Sequence, residues 1–172
     1  MLKLNRLKNR SIARLANSFP VIAKHLEDSF VPLESEDIPW TPVKKALDKS
    51  KIALVTTSGI HHGYQEPFSM DDSTGDPSYR ILDINTLEED YMITHDYYDH
   101  RDADKDLNII LPIARLREMA SAGIIGSVAE RHFSFMGHIT DSHIHDLIDK
   151  TAPEVAASLI QDNADAVLLT PG

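Results

Sequence analysis

The chain has 172 residues, of which 42% are hydrophobic and 26% charged, and its formal net charge is −10 at pH 7. These values are typical of one folded domain with a substantial core. The negative charge argues against nonspecific nucleic-acid binding, because a phosphate backbone is held by clustered lysines and arginines. Because cysteine is absent, the residues offer no disulfide, thiolate ligand or cysteine nucleophile. Without a long apolar run or a signal-peptide core, the sequence predicts a cytoplasmic protein with no membrane span.

The first part of the chain predicts a helical appendage. Residues 1–16 place leucine and isoleucine at helical spacing among lysines and arginines, which indicates a basic amphipathic helix. Ser18 is then a candidate N-cap for a second helix, with Pro20 in its first turn. Docking on the body of the protein or on a partner subunit is favoured over membrane binding, since the apolar face is narrow. We predict an N-terminal helical appendage and connector over residues 1–42 and an α/β domain over residues 43–172.

Short apolar runs alternate with helical patterns through that domain. The predicted strands are Lys51–Thr57, Tyr79–Ile84, Tyr91–Thr94, Arg131–Met136 and a buried Ala166–Thr170, and the predicted helices are Pro112–Ala122, Asp141–Lys150 and Glu154–Asn163. A capping box at Thr151 is expected to open the last helix. Helices between strands imply parallel strands joined by right-handed crossovers. The predicted fold class is α/β, an open, mainly parallel sheet with flanking helices of Rossmann or flavodoxin type, plus the N-terminal helical appendage.

Two histidines follow the first predicted strand. Ser58 and Gly59 end the strand, and His61 and His62 come directly after them. Ligands bind outside the carboxyl ends of strands in parallel sheets, so these histidines are placed to contact a ligand. A solvated histidine pair is the alternative, and the sequence leaves both open.

A very polar run, Thr94–Asp104, follows the third predicted strand. It contains two histidines, four aspartates, two tyrosines and one arginine. The five-residue spacing of His95 and His100 fits neither a helical nor a strand pair of metal ligands, so no metal is assigned. A metal site, a salt-bridged loop and a substrate site with Arg101 as a bidentate carboxylate clamp stay open.

Sequence motifs for nucleotide binding and for a serine nucleophile are absent or weak. The glycines form neither a dinucleotide fingerprint nor a phosphate-binding loop. Ser134 lies in Phe-Ser-Phe-Met-Gly rather than in the glycine-flanked turn of a serine hydrolase, which favours an ordinary strand residue over a nucleophile.

Several motifs resemble one known family. They are Arg-Leu-Lys-Asn-Arg near the N-terminus, Ile-Pro-Trp-Thr-Pro at 38–42, Ala-Leu-Val-Thr-Thr-Ser-Gly-Ile-His at 53–61, Thr-His-Asp-Tyr-Tyr-Asp-His-Arg-Asp-Ala-Asp at 94–104, Ser-Phe-Met-Gly-His at 134–138 and Ala-Val-Leu-Leu-Thr-Pro-Gly at 166–172. Together they resemble the glycine/sarcosine/betaine reductase selenoprotein B and D-proline reductase family, most closely its short single-domain members. The resemblance covers essentially the whole chain.

The resemblance implies a redox enzyme. In that family a selenocysteine, or a cysteine in some members, follows the motif that matches Leu169–Gly172 and supports reductive cleavage of a C–N bond. The electrons come from a dithiol system, so a thioredoxin-like or other dithiol donor is expected as a partner. No cofactor is expected within these 172 residues. The resemblance suggests a C-terminally truncated chain, ended by a UGA codon or cut there, which would be inactive as given.

Site residues are assigned from position in the predicted fold together with the resemblance. The predicted catalytic residues are His95, Asp99, His100 and His138, and the predicted substrate-binding residues are Gly59, His61, Tyr98, Arg101, Ser134 and Thr170. A small amino-acid-like or amine substrate is expected as a partner, as is a homo-oligomer. The alternatives are a metal-dependent lyase or hydrolase that uses the His95–Asp104 run, and a noncatalytic subunit or binding module.

Overall fold

The computed structural model describes residues 2–28 and 40–171. The chain packs as two units, one spanning Met1–Val43 with Asp96–Asp99 and the other spanning Lys44–His95 with His100–Gly172. The division of the sequence after residue 42 remains a prediction. None of the helices in the described ranges is long and apolar enough to cross a bilayer.

The first unit contains two helices, α1 (Leu2–Ser18) and α2 (Pro20–Asp28). The predicted restart near Pro20 is confirmed, but the predicted N-cap is wrong. The Ser18 hydroxyl donates back to the Arg14 carbonyl at 3.1 Å, so it belongs to the end of α1. Much of the predicted connector, residues 29–39, lies outside the described residues.

The second unit is built on a five-stranded, mostly parallel sheet. Its strands are β1 (Lys51–Thr56), β3 (Arg80–Asp83), β5 (Ser127–Val128), β6 (Arg131–Ser134) and β7 (Ala166–Thr170), numbered with β2 and β4 of a second sheet. β1 pairs in parallel with β5 and β6 along one edge and with β7 along the other. β3 pairs antiparallel with β6. The predicted α/β class with a mainly parallel sheet is therefore confirmed.

A small second sheet was not predicted. β2 (Ile60–His62) pairs antiparallel with β4 (Tyr91–Ile93). Gly59, at φ +72°, turns the chain out of the main sheet. The three residues of β2 that follow it then pair with β4. The alternative of a solvated histidine pair is wrong, because His61 is only 3% exposed and His62 is fully buried.

Helices cover both faces of the main sheet. α3 (Ile113–Ser121) buries Ile113 and Leu116 in a cluster that includes Leu54 of β1. α4 (His143–Asp146) continues through a π-helical turn at Leu147–Thr151 into α5 (Ala152–Gln161), which packs Val155 against Phe133. The two clusters hold apolar side chains from alternate positions of the strands, as a sheet buried on both faces requires.

The predicted capping box is wrong because no helix begins at that point. Thr151 has helical dihedral angles, φ −74° and ψ −36°, and its side chain makes no capping hydrogen bond. The π-helical turn runs into Thr151 without a break. The backbone N–H groups that follow Thr151 are therefore inside a continuous helix and need no cap.

The last strand departs from its predicted burial. The pattern Ala-Val-Leu-Leu-Thr predicted a buried strand, but Leu169 of β7 is 71% exposed in the described structure. Among the residues that the structure describes, β7 has β1 as its only strand neighbour.

His132 fills a break along one edge of β1. The strands β5 and β6 pair with the same edge but are interrupted between them, and the Leu54 N–H donates to Nδ1 of His132 at 3.0 Å. The imidazole therefore replaces the carbonyl that the ladder lacks. An accepting Nδ1 leaves the hydrogen on Nε2, which is buried without a partner in the described part of the chain. Burial lowers the pKa of His132 to about 4.

We predict an acid-dependent loss of stability that depends on His132. The folded pKa, about 4, lies below the ordinary value of 6.5, so the unfolded state binds more protons between these values. The contribution is fully present above pH 6.5 and is lost as the pH falls toward 4, by on the order of 3 kcal/mol of unfolding free energy. Urea unfolding from pH 7 to pH 4 measures it.

His132→Asn is the informative variant, because its amide oxygen can accept the Leu54 N–H but the side chain does not titrate. It should flatten the pH dependence, whereas His145→Asn, at an exposed histidine, should leave it unchanged. An unaltered pH profile in His132→Asn would contradict the assignment.

Candidate functional site

The carboxyl ends of three parallel strands lie side by side. Thr56 of β1 is in register with Ser134 of β6 and with Thr170 of β7. Beyond these residues the backbone stays paired: the Phe135 N–H donates to the Thr56 carbonyl at 2.8 Å and the Thr57 N–H to the Thr170 carbonyl at 3.0 Å. In open α/β sheets this is the edge at which ligands bind.

We call the residues at this edge the strand-end cluster: Thr56, Thr57, Ser58, Gly59, Thr94, Ser134, Phe135, Met136, Gly137, His138 and Thr170. Several hydroxyl groups in this cluster make hydrogen bonds. The Thr56 and Ser58 hydroxyls share a buried hydrogen bond of 2.7 Å, and the Thr170 hydroxyl donates to the Ile110 carbonyl at 2.7 Å. The buried Ser134 hydroxyl donates to the Phe135 carbonyl at 3.4 Å, which fits a strand residue better than an activated nucleophile.

Two glycines allow the loops of the strand-end cluster to touch through their backbones. Gly59 donates to the Phe135 carbonyl at 2.9 Å and accepts from the Thr94 N–H at 3.0 Å. A Cβ atom on Gly59 would lie 2.5 Å from the Thr94 oxygen, and one on Gly137 would lie 2.6 Å from the Thr57 oxygen. Both glycines have positive φ, +72° and +22°, so larger residues would be both strained and crowded.

His61 braces the loop that leaves β1. Its Nδ1 lies 2.8 Å from the His62 carbonyl, which can only accept, so Nδ1 carries the hydrogen. Nε2 therefore accepts from the Thr94 hydroxyl at 2.9 Å. With both nitrogens engaged and the ring buried, His61 holds Thr94 at the strand-end cluster. Its predicted substrate-binding role stays a prediction.

His138 anchors a long polar loop. Its Nε2 donates to the Ser73 carbonyl at 3.0 Å, and two residues further on the Thr140 N–H donates to the Thr74 carbonyl at 2.8 Å. Gly75 forms a bridge with Ile139. The loop before β3 therefore lies against the chain that leaves β6.

Arg80 and Asp76 organise the same loop from within. The Arg80 guanidinium donates to the carbonyls of Glu66 at 2.7 Å and Pro67 at 3.2 Å and stacks over Phe68, 4.3 Å from the ring centroid. Asp76 accepts the Ser69 N–H at 2.8 Å. Burial alone would raise the pKa of Asp76, but hydrogen bonds from serine and the nearby Arg80 charge leave it below its ordinary value. The loop is thus held by the hydrogen bonds of Arg80 and Asp76, two partly buried residues whose charged groups lie 3.9 Å apart.

The polar run His95–Asp104 is divided between the two units. His95 is buried in the second unit, and Nδ1 of His100 lies 2.9 Å from both carboxylate oxygens of Asp104 there. Tyr98 and Asp99 are half-buried members of the first unit. Arg101 is exposed. Over residues 2–28 and 40–171, no three histidine or carboxylate side chains converge as metal ligands would.

In the first unit, Asp96 joins the run to helix α1. Its carboxylate is 1% exposed and accepts from Nε of Arg6 at 2.6 Å and from Nε of Arg10 at 2.7 Å. Burial alone would raise the pKa of Asp96, but the hydrogen bonds and charges of the two arginines outweigh it and the pKa is lowered. The sequence analysis missed this pair; the four-residue spacing of the arginines was the available signal.

The structure therefore groups only some of the predicted site residues. Gly59, His61, Ser134, His138 and Thr170 lie at or beside the strand-end cluster through the contacts given above. The catalytic and substrate-binding roles predicted for all the site residues, these five included, stay predictions. The sequence analysis missed Thr56, Ser58, Thr94 and Gly137, of which Gly137 could have been found as the glycine that closes a predicted strand.

The fold and the cluster define an α/β protein with a mainly parallel sheet and a polar edge where three strands end. Comparison with known sequences is more specific. The chain belongs to the glycine/sarcosine/betaine reductase selenoprotein B family, whose model matches residues 23–172. This confirms the resemblance found in the motifs.

Three relatives illustrate the match. D-proline reductase subunit gamma of Acetoanaerobium sticklandii is 36% identical over 143 residues, 83% of this chain and 57% of that protein. Glycine reductase complex component B subunit gamma of Carboxydothermus hydrogenoformans is 31% identical over 156 residues, 87% of this chain and 35% of that protein. Sarcosine reductase complex component B subunit beta of Peptoclostridium acidaminophilum is 28% identical over 137 residues, 77% and 30% of the two chains.

The chain thus spans little more than half of the first of these relatives and about a third of the others. No solved structure matches the chain.

We predict that Gly59→Ala destabilises the protein by about 2 kcal/mol or more, because a Cβ atom meets the Thr94 carbonyl and the positive φ disfavours alanine. Chemical unfolding measures the change. Gly123→Ala is the matched control, since Gly123 also has positive φ, +71°, but has open space around its Cβ position. Equal costs for the two variants would contradict the close approach.

We predict that Asp96→Asn loosens α1, because it removes the negative charge that two arginines share while leaving both arginines in place. The expected loss is about 2 kcal/mol of unfolding free energy, with faster amide exchange in α1. Asp102→Asn, at an exposed aspartate paired with Lys105, should change little. Unchanged exchange in α1 in Asp96→Asn would refute the role of this ion pair.

Proposed function

We propose that the strand-end cluster is the substrate-facing edge of a reductase that cleaves a C–N bond in a small amino-acid-like or amine substrate. The observation that carries the proposal is the register of Thr56, Ser134 and Thr170, in a chain of the glycine/sarcosine/betaine reductase selenoprotein B family. The names of its relatives suggest D-proline, glycine, sarcosine and betaine as candidate substrates.

The reaction needs two electrons and two protons. The C–N bond breaks, the carbon and the nitrogen each gain a hydrogen, and a dithiol is oxidised to a disulfide. We propose that a selenocysteine or cysteine following Gly172 in the full-length polypeptide passes the electrons, because β7 leads directly to the strand-end cluster and such a residue is nucleophilic as its anion. The 172 residues contain no cysteine, so by this proposal they do not turn over substrate by themselves.

The leaving amine needs a proton, and His138 is the best placed of the proposed catalytic residues. It follows Gly137 at the end of the β6 segment, and the bond from its Nε2–H to the Ser73 carbonyl, 3.0 Å long, holds the ring. Nδ1 of the imidazolium would then supply the proton. A positioned acid of this kind typically contributes about 10²–10⁴-fold to a rate. The proposed roles of His95, Asp99 and His100 in proton transfer, and of Tyr98 and Arg101 in substrate binding, rest on the motif alone.

The proposal includes partner proteins. The glycine and sarcosine reductase relatives are named as complex components, and we propose subunit partners and a thioredoxin-like or other dithiol donor for this chain. A cytoplasmic location is part of the proposal, since dithiols stay reduced there.

Two other functions have less support. A metal-dependent lyase or hydrolase would need converging ligands, and the described ranges offer no such group of three. A noncatalytic subunit would be consistent with the fold and the family, and the activity assay separates it from the reductase.

The test is an assay of the full-length polypeptide, purified with the subunits that accompany it, after the codons that follow Gly172 have been read. Each of the four candidate substrates is incubated with dithiothreitol, and the reduced product is measured. We expect reduction of one substrate, a loss of at least about 10³-fold when the selenocysteine or cysteine is replaced by serine, and a loss of about 10²-fold or more for His138→Gln.

Lys105→Gln, at an exposed residue distant in sequence from every strand end, is the matched control and should retain full activity. No reduction of any substrate would overturn the reductase proposal in favour of a noncatalytic subunit. Activity abolished by a chelator and restored by a divalent metal would favour the metal-dependent alternative.

A further inference from the structure

His143, the first residue of α4, lies between two carboxylates. Its Nε2 is 3.2 Å from Oδ2 of Asp72, and its Nδ1 is 3.2 Å from Oδ2 of Asp146. Ionised carboxylates can only accept, so both contacts are hydrogen bonds only when the ring is an imidazolium with a hydrogen on each nitrogen. Hydrogen bonds to Asp146 and Asp72, together with their negative charges, raise the pKa of His143 accordingly. His143 thus ties α4 to the long polar loop before β3.

Asp72 begins a tight turn in that loop, residues 72–75, which we call the Asp72 turn. Its Oδ1 accepts from the Thr74 N–H at 2.9 Å and from the Thr74 hydroxyl at 2.6 Å, and its carbonyl accepts from the Gly75 N–H at 3.2 Å. The hydrogen bonds from Thr74 are the main cause that lowers the pKa of Asp72 to about 2. Oδ1 therefore shapes the turn, while Oδ2 of the same anion faces His143.

The Asp72 turn packs on the segment that carries His138. The Ser73 carbonyl accepts from Nε2 of His138 at 3.0 Å, and the Thr74 carbonyl accepts from the Thr140 N–H at 2.8 Å. A Cβ atom on Gly75, which has φ +95°, would overlap the His138 carbonyl oxygen. Because the turn and this segment touch through their backbones, a movement of the turn also moves the carbonyl that holds the His138 ring.

We propose that His143 is a positioning residue that fixes the ring of His138 through the Asp72 turn. The backbone contacts hold the middle and the end of the turn, and the ion pair with His143 holds its first residue. Since the two nitrogens of His138 belong to one rigid ring, a fixed Nε2 also fixes the direction of Nδ1, the nitrogen proposed to supply the proton. The importance of His138 rests on the proposed function, whereas the contacts that position its ring do not.

The ion pair is expected to contribute to geometry more than to stability. The side chains of His143 and Asp72 are 25% and 50% exposed, and exposed pairs contribute little to the free energy of unfolding. The orientation of a catalytic group matters more, since a misplacement of about 1 Å can lower a rate about 10²-fold. A ring that the Ser73 carbonyl still holds loses only part of its orientation, so we expect an effect on turnover of about threefold to tenfold.

The contact with Asp72 depends on pH, and the raised pKa of His143 sets the direction. Below this pKa the imidazolium donates to both Asp72 and Asp146. Above it the neutral ring keeps one hydrogen and can donate to only one of the two carboxylates. The Asp72 turn is therefore held most firmly on the acidic side of the His143 titration and is partly released as the pH rises through it.

Ring order of His138, measured by ¹³C relaxation in the isotope-labelled 172-residue protein at about pH 6, tests the positioning. Asp72→Asn is the sharpest variant, because its Oδ1 can still accept from Thr74 while an amide group replaces the carboxylate oxygen that faces His143. We expect Asp72→Asn and His143→Ala each to lower the order parameter of the ring by about a quarter or more. The double variant should lower it no further than His143→Ala alone, because both changes break the same contact.

Asp146→Asn is the matched control, because it removes the other carboxylate beside His143 and leaves Asp72 in place. It should leave the ring order of His138 unchanged. His143→Lys should retain the ring order of the unmodified protein, since it keeps a cation that can donate to Asp72 and stays charged up to about pH 9. The urea midpoint should be the same in all these variants, which separates positioning from a general loss of structure.

A pH series gives a second readout. Between about pH 6 and pH 9 the unmodified protein should lose ring order at His138 as His143 loses its proton. His143→Lys lacks that titration, so the difference between the two proteins isolates the part due to His143. Identical pH profiles would overturn the proposal.

Turnover links the positioning to the chemistry. In the reductase assay of the full-length polypeptide with its subunits, Asp72→Asn and His143→Ala should lower kcat about threefold to tenfold with little change in KM, and His143→Lys should restore most of it. Unchanged ring order in Asp72→Asn and His143→Ala would overturn the positioning role whatever the activity, and so would an equal loss in Asp146→Asn. The expected ring order in a protein without reductase activity would instead overturn the proposed function.

Discussion

The parallel pairing of β1 with β6 and β7 is the constraint on which the rest of the second unit depends. It buries Ala53 and Leu54 completely and sets Thr56, Ser134 and Thr170 at one level. Because these three strands are parallel, their carboxyl ends lie at the same end of the sheet, and the polar residues that follow the strands collect there. The glycines at positions 59 and 137 then allow the segments that follow the strands to come into backbone contact.

Buried histidines in this protein complete the backbone hydrogen bonding. His132 accepts from Leu54 within the main sheet, and Nε2 of His62 accepts from the Asp83 N–H at 3.0 Å. The His62 ring stacks between Tyr64 and Tyr91, with ring centroids 5.0 and 5.1 Å away, and desolvation by burial lowers its pKa. The buried side chains of His62 and His132 thus support the fold.

The sequence predicted the α/β class and five of the seven described strands, because apolar runs bounded by glycine and polar residues are local signals, and its motifs indicated the family. It did not predict β5, which has only two residues. It did not predict β2, since three residues containing two histidines carry no strand pattern and the paired residues of β4 lie 29 to 33 positions further along the chain. It could not identify the Arg6–Asp96 contact, whose partners are 90 residues apart in the chain. Nor could composition tell which strands lie beside β7, because an apolar run records only that a strand is suited to burial, not which neighbour buries it.

The central claim is that substrate binds at the strand-end cluster, and this can be measured on the 172-residue protein without any redox step. Isotope-labelled protein is titrated with D-proline, glycine, sarcosine and betaine to about 10 mM, and backbone amide chemical shifts are followed. The account predicts that one of these compounds shifts the amides of Ser58, Gly59, Phe135 and Gly137, with little change at Glu88–Asp90. Largest shifts away from the three strand ends, or none with any compound, would contradict it.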